Sequence, residues 1–384
     1  MFNIKPSTRS QFIFFTFLTL YLLAGFGTDY FLLTFKPNSF LEDFGYYERA
    51  LEDSTAGKDP YAIRLIGPAY LYPPTALLVV EPFHFIKLFS IKILLYSLFN
   101  IAAMVFIIHG ISRHYGYSTK DVWYWYVFCL GFAPFHELLY VGQINVITLL
   151  GLFVFFFWLE SSPTLSGFGL SLAILTKVSP AIFMGYLVVT KKIKVFAAVT
   201  LWTIIFIILS ILRYGVSPLL AYPEVFRWLS SQFPISHNSQ SLVSKLATVF
   251  GFEHQTSLHQ TIQQILILYI LLVIVTSIFL TRIQKQPKEP LFIITTIGMM
   301  ILPNVMWYHH YVFLLLPLLI WMGWKRLDWQ TTTWCLAGLI IIQFDRYITY
   351  GLLTHIFAHI SILLILKGQV QDFLRQRYQE MVPA

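Results

Sequence analysis

Long apolar stretches, separated by short polar segments, extend over almost the whole chain. A helix needs about 20 apolar residues to cross a bilayer, and most of the stretches approach or exceed that length. The pattern predicts an all-α polytopic membrane protein with roughly nine to eleven transmembrane helices. The stretches cover residues 12–35, 71–86, 88–111, 122–138, 141–159, 164–190, 195–212, 262–281, 291–323, 332–350 and 352–366.

Some of these helices are expected to be short or broken. Glu160 and Lys191–Lys194 are assigned to one side of the membrane, although a single apolar stretch separates them. Two half-length helices folded back at 176–180 would allow this, because Pro180 disfavours helical geometry at Ser179. The same pattern predicts breaks near Pro134 in 122–159 and at Pro303 in 291–323. The stretch 71–86 is too short to span comfortably, so we expect it to lie along the outer interface.

Composition and charge agree with a membrane location. The chain is 57% hydrophobic and 11% charged, whereas a soluble protein carries about 25% charged residues. The net charge of +8 arises from basic clusters between the stretches, which indicates topology rather than a nucleic-acid partner. We expect one integral membrane domain over 1–384, with 36–70 and 213–262 as long non-cytoplasmic loops. Cys129 and Cys335 lie in apolar runs and are interpreted as buried thiols.

Polar residues gather at five places on the predicted outer face. Ionisable and amide side chains at membrane depth are costly, so each needs a reason. Their occurrence on five separate segments at one level predicts a cavity near the outer membrane surface. The five places are Glu42-Asp43, Glu137 to Asn145, Lys177, His237 to Ser241 and His309-His310.

Asp43 borders an apolar stripe. Phe40, Phe44, Tyr47 and Leu51 follow helical spacing, which predicts an amphipathic helix lying on the membrane. A carboxylate at such a boundary can have a pKa raised towards neutrality and serve as a general base. The alternative is a helix cap or a solvated surface acid.

Lys177 is the lone cation of a long apolar stretch, at its predicted break. A compact ammonium there suits an anionic headgroup, and the alternative is a lysine snorkelling to the interface. His309 and His310 follow Trp307-Tyr308 at another break. No carboxylate or cysteine stands at ligand spacing to them, so hydrogen bonding to a phosphate or a sugar is favoured over a metal site. The alternative is an interfacial histidine.

Amide side chains complete the candidate cavity. Gln143 and Asn145 are two residues apart, so they would face different sides of a helix. Amides suit sugar hydroxyls because they present donors and acceptors together, and helix-to-helix hydrogen bonding is the alternative. Asn238 and Gln240 lie in the second long loop, where an ordinary polar turn is equally compatible.

Seven segments in this order resemble glycosyltransferase family 87, whose members are polytopic enzymes of the GT-C fold. The resemblance runs from about residue 12 to 325. The segments are Glu42-Asp43-Phe44-Gly45-Tyr46-Tyr47-Glu48-Arg49-Ala50, Asp59-Pro60-Tyr61, Tyr72-Pro73-Pro74-Thr75-Ala76-Leu77, Gly142-Gln143-Ile144-Asn145, Thr176-Lys177-Val178-Ser179-Pro180, Asn238-Ser239-Gln240-Ser241-Leu242 and Trp307-Tyr308-His309-His310-Tyr311.

The resemblance implies transfer of mannose from polyprenyl-phosphate-mannose to a lipid-linked or glycan acceptor on the non-cytoplasmic face. It implies inversion at the anomeric carbon, no metal and no cofactor. Such an enzyme would lie among the lipids of a bacterial inner or plasma membrane. The alternative from another class is a transporter or flippase of a lipid-linked saccharide.

The resemblance also suggests roles for the candidate residues. The family's catalytic aspartate matches Asp43. Lys177, with His309 or His310, would hold the donor phosphate. The sugar or the acceptor would be placed by the remaining polar candidates, which are Glu42, Tyr61, Gln143, Asn145, Asn238 and Gln240.

Overall fold

The fold is all-α, as the sequence predicts. The computed structural model describes residues 8–36, 40–62, 70–231, 239–251, 256–284, 288–303, 306–348 and 351–381, and within these ranges every regular element is a helix. Short 3₁₀ turns occupy 74–76, 179–181 and 308–314. The α-helices are α1 (Thr8–Phe35), α2 (Glu42–Thr55), α3 (Leu77–His84), α4 (Phe89–Tyr115), α5 (Thr119–Leu130), α6 (Ala133–Val141), α7 (Asn145–Trp158), α8 (Pro163–Thr176), α9 (Ile182–Val189), α10 (Ile193–Tyr214), α11 (Ser217–Ser231), α12 (Leu242–Phe250), α13 (Thr256–Gln284), α14 (Glu289–Ile301), α15 (Leu315–Trp324), α16 (Trp329–Ile348) and α17 (Leu352–Met381).

Five of the described helices are long and apolar enough to cross a membrane: α1, α4, α10, α13 and α17. Much of their apolar surface is exposed, for example at Leu201, Ile204 and Leu212 of α10. A soluble protein rarely leaves large contiguous apolar surfaces in contact with water. These exposed faces therefore suit contact with lipid.

Short helices form the interior. Every residue of α14 is buried, and α7 and α15 contribute most of their side chains to the same core. A helix that is apolar on all sides belongs inside a bundle. The short helices therefore lie inside the bundle, and the long helices pack one face against them and keep another face for the bilayer.

Two of the predicted helix breaks are confirmed. α8 ends at Thr176 and α9 starts at Ile182, and Lys192 after α9 forms an ion pair with Glu160 before α8. The chain therefore returns to the level from which α8 started. The stretch 291–323 likewise consists of α14 and α15, with the break after Ile301.

The break predicted near Pro134 in 122–159 is also present, because α5 ends at Leu130 and α6 starts at Ala133. Pro134 stands in the first turn of α6, a position that tolerates proline because the first turn's N–H groups have no partner within the helix. The stretch has a second break that the sequence did not predict. α6 ends at Val141, and Gly142 follows in a left-handed conformation with φ of 80°.

The two ends of α4 define two ends of the molecule. At its start, Lys92 is ion-paired with Glu48 of α2, and we call this the α2 end. At its last residue, the Tyr115 hydroxyl lies 3.4 Å from Glu289 Oε1, and Gly323 packs against the Tyr115 ring. We call this the Tyr115 end. Lys288 precedes Glu289, and Lys325 and Arg326 follow Gly323 closely, so this end carries basic clusters of the kind retained on the cytoplasmic side. α3 has eight residues, too few to cross a bilayer.

Both segments predicted as long loops contain helices. Residues 36–70 contain α2, and 213–262 contain α11, α12 and the start of α13. Phe44, Tyr47 and Leu51 of the predicted amphipathic stripe are buried, whereas Phe40 is exposed. Cys129 and Cys335 are buried free thiols, as predicted.

Candidate functional site

The turn between α6 and α7 holds the start of α2. The Leu41 N–H donates to the Tyr140 carbonyl at 2.8 Å, and the Tyr96 hydroxyl donates to the Gly142 carbonyl at 3.1 Å. A Cβ on Gly142 would lie 2.6 Å from the Cβ of Phe44. Glycine is therefore needed at 142 both for its positive φ and for the close approach of α2. This contact brings Asp43 beside Gln143.

Gln143 joins Asp43 to two tyrosines. Its Nε2 donates to Asp43 Oδ2 at 2.6 Å, while its Oε1 accepts from the hydroxyls of Tyr47 at 2.9 Å and Tyr72 at 2.7 Å. The two tyrosine donors fix the orientation of the amide, because only its oxygen accepts hydrogen bonds. Gln143 is therefore a buried, preorganised donor to one oxygen of the carboxylate.

Asp43 is half-buried and lies on α2, outside the candidate membrane spans. Burial raises the pKa of Asp43 to about 7, and the nearby carboxylates of Glu42 and Glu137 act in the same direction. The hydrogen bond from Gln143 and the charge of Lys177 partly oppose this rise. A carboxylate with a pKa near neutrality is suited to general base catalysis.

Lys177 directly follows α8, in extended backbone with φ of −157°. Its Nζ lies 2.7 Å from His310 Nε2, 3.3 Å from Asn145 Oδ1 and 5.3 Å from the centroid of the Phe313 ring. These contacts direct the ammonium inward, which argues against the snorkelling alternative. Lys177 is also close enough to Asp43 for its charge to affect that carboxyl group.

His310 is surrounded by donors. The Trp307 N–H lies 3.3 Å from Nδ1, and Lys177 Nζ lies 2.7 Å from Nε2. A neutral imidazole has one donor and one acceptor nitrogen. If Nδ1 accepts from Trp307, then Nε2 carries its proton towards the lysine, and two donors face each other. An anion is the kind of group that would satisfy both donors.

Gln143 and Asn145 connect the carboxylate to the cation. They face different directions, as the sequence predicts, although Gln143 precedes α7 instead of lying on it. Gln143 contacts Asp43 and Asn145 contacts Lys177. Asn145 Nδ2 is buried without a hydrogen-bond partner, so one donor beside Lys177 is unused.

The remaining candidates lie around this centre. Glu42 is exposed and accepts a hydrogen bond from the Tyr46 hydroxyl at 2.8 Å. The buried Tyr61 donates to the Tyr72 carbonyl at 2.8 Å, which makes it a support for Tyr72. His309 is buried with its ring stacked on Trp307.

Gln240 lies on the other side of the 307–310 segment. Its N–H donates to the Met306 carbonyl, and its own carbonyl accepts from His355 Nε2 at 2.6 Å. Asn238 lies outside the described residues.

The sequence did not single out the hydroxyls of Tyr47 and Tyr72 as parts of the site. Tyr47 was assigned to the apolar stripe of α2, and Tyr72 only marked the start of a short stretch. Tyr47 follows Asp43 by one helical turn and therefore lies on the same face of α2. This spacing is the local feature of the sequence that could have assigned Tyr47 to the site. Within the described ranges, no three His, Cys, Asp or Glu side chains are grouped to hold a metal ion.

The family model of glycosyltransferase family 87 matches residues 70–317. The matched region includes the turn at 142–145, Lys177 and the two histidines, while Asp43 precedes it and is joined to it by the hydrogen bond to Gln143. No curated protein matches the chain significantly.

Proposed function

Because the chain belongs to glycosyltransferase family 87, we propose that this membrane glycosyltransferase moves a hexose, specifically mannose, from a polyprenyl-phosphate sugar to a lipid-linked or glycan acceptor. One observation carries the proposal. Gln143 Nε2 donates a hydrogen bond to Asp43 Oδ2 at 2.6 Å, and Asn145, two residues later, accepts one from the inward-facing Lys177. A base and an anion site thus face one another across a single turn of the chain.

Asp43 is the proposed base. It accepts the proton of the acceptor hydroxyl as that oxygen attacks the anomeric carbon. The bond from this carbon to the donor phosphate breaks, and the configuration at the carbon is inverted. The phosphate is already a good leaving group, so this reaction needs no second carboxylic acid. Glycosidases, in contrast, use a pair of carboxyl groups flanking the bond. The half-buried carboxylate of Asp43 near the cation of Lys177 agrees with transfer from a phosphate.

Lys177 and His310 are the proposed donor-phosphate site. A phosphate oxygen next to Lys177 would accept from the ammonium and from His310 Nε2, two nitrogens that lie 2.7 Å apart. The unused Nδ2 of Asn145 would add a third donor. Such fixed donors stabilise the charge that develops on the leaving phosphate. His309 lies beside this group and is assigned to the same phosphate site.

The other polar candidates would place the sugar and the acceptor. Gln143 and Asn145 contact the two halves of the site directly, whereas Tyr61, Gln240 and Glu42 lie at its margin. The enzyme would act at the non-cytoplasmic face of a bacterial inner or plasma membrane, because the α2 end lies opposite basic clusters typical of the cytoplasmic side.

The test is sugar transfer by the purified protein in detergent. We expect radiolabelled mannose to move from its polyprenyl phosphate to an acceptor lipid, with other hexoses transferred more slowly. Asp43→Asn should reduce transfer by about 10²–10⁴-fold, the usual contribution of a general base, and leave donor binding nearly unchanged. Glu52→Gln is the matched control, since Glu52 lies on the same helix and is exposed.

The outcomes separate the hypotheses. Full activity of Asp43→Asn would remove the base from this position. A transporter needs two compartments, so a protein that moves a lipid-linked saccharide only in sealed vesicles and transfers no sugar in detergent would be a transporter.

A further inference from the structure

The 3₁₀ helix that carries His310 presents different faces to two parts of the molecule. With three residues per turn, residues three apart in the chain lie on one side of such a helix. His310 and Phe313 face Lys177, whose Nζ lies 2.7 Å from His310 Nε2 and 5.3 Å from the centroid of the Phe313 ring. Tyr308 and Tyr311 form another face, with their ring centroids 5.8 Å apart. The rotation of this helix about its axis therefore decides whether His310 meets Lys177.

This helix needs support from outside itself. It extends over seven residues, 308–314, whereas most 3₁₀ helices are only about three or four residues long because their hydrogen bonds have poor geometry. All of its side chains are buried, so neighbouring elements supply the support. The contacts of Tyr308 and Tyr311 show which elements those are.

Both tyrosines form hydrogen bonds to α16 or to the start of α17. The Tyr308 hydroxyl lies 3.0 Å from the carbonyl oxygens of Ile342 and Gln343 in α16. The Tyr311 hydroxyl donates to the Gly351 carbonyl at 3.3 Å, directly before α17. A Cβ on Gly351 would lie 2.5 Å from the Tyr311 hydroxyl oxygen, so the chain packs tightly here. α16 and α17 thus hold the tyrosine face of the 3₁₀ helix.

His355 of α17 secures the segment before the 3₁₀ helix through Gln240. Its Nε2 lies 2.6 Å from the Gln240 carbonyl oxygen, and the Gln240 N–H donates to the Met306 carbonyl. A carbonyl oxygen only accepts hydrogen bonds, so Nε2 carries a proton and donates it. His355 is fully buried, and its ring centroid lies 6.3 Å from that of Tyr311. One residue of α17 therefore contacts the tyrosine face and also holds the chain that leads into the helix.

We propose that His355 is a positioning residue for the phosphate site, because it fixes the rotation of the 3₁₀ helix at which His310 meets Lys177. The inference rests on the proposed function, which takes the anion at Lys177 to be the donor phosphate. In the described part of the chain, the His355 side chain contacts Gln240 and Tyr311 rather than the site itself, so it acts through them. The match to the family ends before α16, so family membership gives α17 no role.

Removal of the donor at position 355 should weaken anion binding. His355→Phe keeps a ring and removes the N–H that the Gln240 carbonyl accepts, so the segment before the 3₁₀ helix loses a contact. We expect the Kd for polyprenyl phosphate to rise about tenfold, the usual effect of one lost hydrogen bond. Binding of the labelled lipid to the purified protein measures the change. His355→Gln places an amide N–H near the former Nε2 and should recover most of the affinity.

His359 provides the matched control within the same helix. Its Nδ1 lies 2.7 Å from the His355 carbonyl oxygen, and its ring is stacked on that of Tyr269 in α13. These contacts are with α13 and with α17 itself, so His359→Phe should leave the Kd unchanged. An equal rise in Kd for both phenylalanine variants would assign His355 a general structural role and overturn the proposal.

A double-mutant cycle tests whether His355 acts through His310. Effects of residues in one network are not additive. His355→Phe should therefore raise the Kd no further once His310→Ala has removed the ring that it positions. Independent, additive effects of the two substitutions on the Kd would show that His355 acts by another route and would overturn the proposal.

A measurement without lipid separates this inference from the proposed function. In protein isotope-labelled at its histidine nitrogens, the nuclear magnetic resonance signals of the His310 ring are those lost in His310→Gln. We expect these signals to shift in His355→Phe and to stay unchanged in His359→Phe. Unchanged signals in both variants would overturn the positioning role. A shift in a protein that binds no polyprenyl phosphate would refute the proposed donor and retain the positioning role.

Discussion

The environment of Asp43 makes its protonation depend on pH near neutrality. Burial raises the pKa of Asp43 to about 7, and a protonated carboxyl cannot accept the proton of an acceptor hydroxyl. We therefore expect kcat/KM to rise with pH and to level off above about 7. A pH–rate profile in detergent measures this, with a donor of fixed phosphate charge over the range used.

Stability should change with pH in the opposite direction. Because the folded-state pKa of Asp43 lies above its unfolded value of about 3.9, folding favours the protonated form. The stability that this group contributes is present at low pH and is lost as pH rises through about 7. At pH 8, Asp43→Asn should therefore have a higher unfolding temperature than the unaltered protein. For the rate prediction above, a kcat/KM that does not change with pH across neutrality would contradict the role of Asp43 as base.

Lys177 is expected to act on donor binding. Lys177→Ala removes a charged donor from the anion site, and hydrogen bonds to charged groups contribute about 1.5–3 kcal/mol. The Kd for polyprenyl phosphate should therefore rise roughly 10- to 150-fold. Binding of the labelled lipid to purified protein measures the change, with Lys120→Ala at the Tyr115 end as control. An unchanged Kd would assign Lys177 to a structural role instead.

At the scale of single residues, the sequence predicted the polar centre but not its supports. Asp43, Gln143, Asn145, Lys177 and His310 could be selected because polar groups in apolar surroundings are conspicuous. Their mutual contacts confirm that these segments converge at one place. Tyrosine has an apolar ring and one hydroxyl, so its position in the sequence does not show whether it packs in the core or donates a hydrogen bond in the site. Only the fold shows that two tyrosine hydroxyls meet Gln143.

α2 carries the proposed base although it lies outside the candidate membrane spans. Its N-terminus is held by the hydrogen bond between Leu41 and Tyr140. One turn beyond Asp43, Glu48 forms an ion pair with the buried Lys92 of α4, and His84 Nδ1 lies 3.7 Å from the same carboxylate. The helix is therefore fixed at two points, one on each side of the site.

The pair between Glu48 and Lys92 should position Asp43. Removal of one partner of a buried pair costs about 3–5 kcal/mol, and the partial exposure of Glu48 reduces this to roughly 1–3 kcal/mol. We expect Glu48→Gln to lower both the unfolding temperature and kcat, with little change in the apparent pKa of the rate. Thermal unfolding and steady-state kinetics measure these effects.

Exchange of the two charges provides the control for this pair. The double variant Glu48→Lys with Lys92→Glu should recover part of the lost activity, while Glu52→Gln on the exposed face of α2 should change neither quantity. Unaltered kcat in Glu48→Gln would show that the contacts at the start of α2, between Leu41 and Tyr140 and between Phe44 and Gly142, suffice to position the helix.

Helix breaks show which elements a sequence can predict. The breaks after Thr176 and Ile301 followed from the charge distribution together with a proline at each site. The break at Gly142 did not, because a glycine in the sequence does not by itself show that another segment packs against it. Here that segment contributes Phe44, which is distant in the chain. Pro134 marks the break between α5 and α6, because the first turn of a helix accepts proline.

At the scale of the whole molecule, α4 separates the site from the basic end. Lys92 at the α2 end and Tyr115 at the other end are 23 positions apart, or about 35 Å along a helix axis. This exceeds the roughly 30 Å hydrocarbon thickness of a bilayer. The base and the anion site would therefore lie near one membrane surface.

The orientation of the two ends can be tested by cysteine labelling. Ala56 after α2 and Ser161 between α7 and α8 are exposed and small, so Ala56→Cys and Ser161→Cys should preserve the fold. The native thiols Cys129 and Cys335 are buried and give a low background. Since lysine and arginine are retained on the cytoplasmic side, a membrane-impermeant maleimide should label Ala56→Cys in sealed right-side-out vesicles. Ser161→Cys should react only after permeabilisation. The reverse pattern would place Asp43 on the cytoplasmic face, where soluble sugar nucleotides could reach it, and would remove the reason for a lipid-phosphate donor.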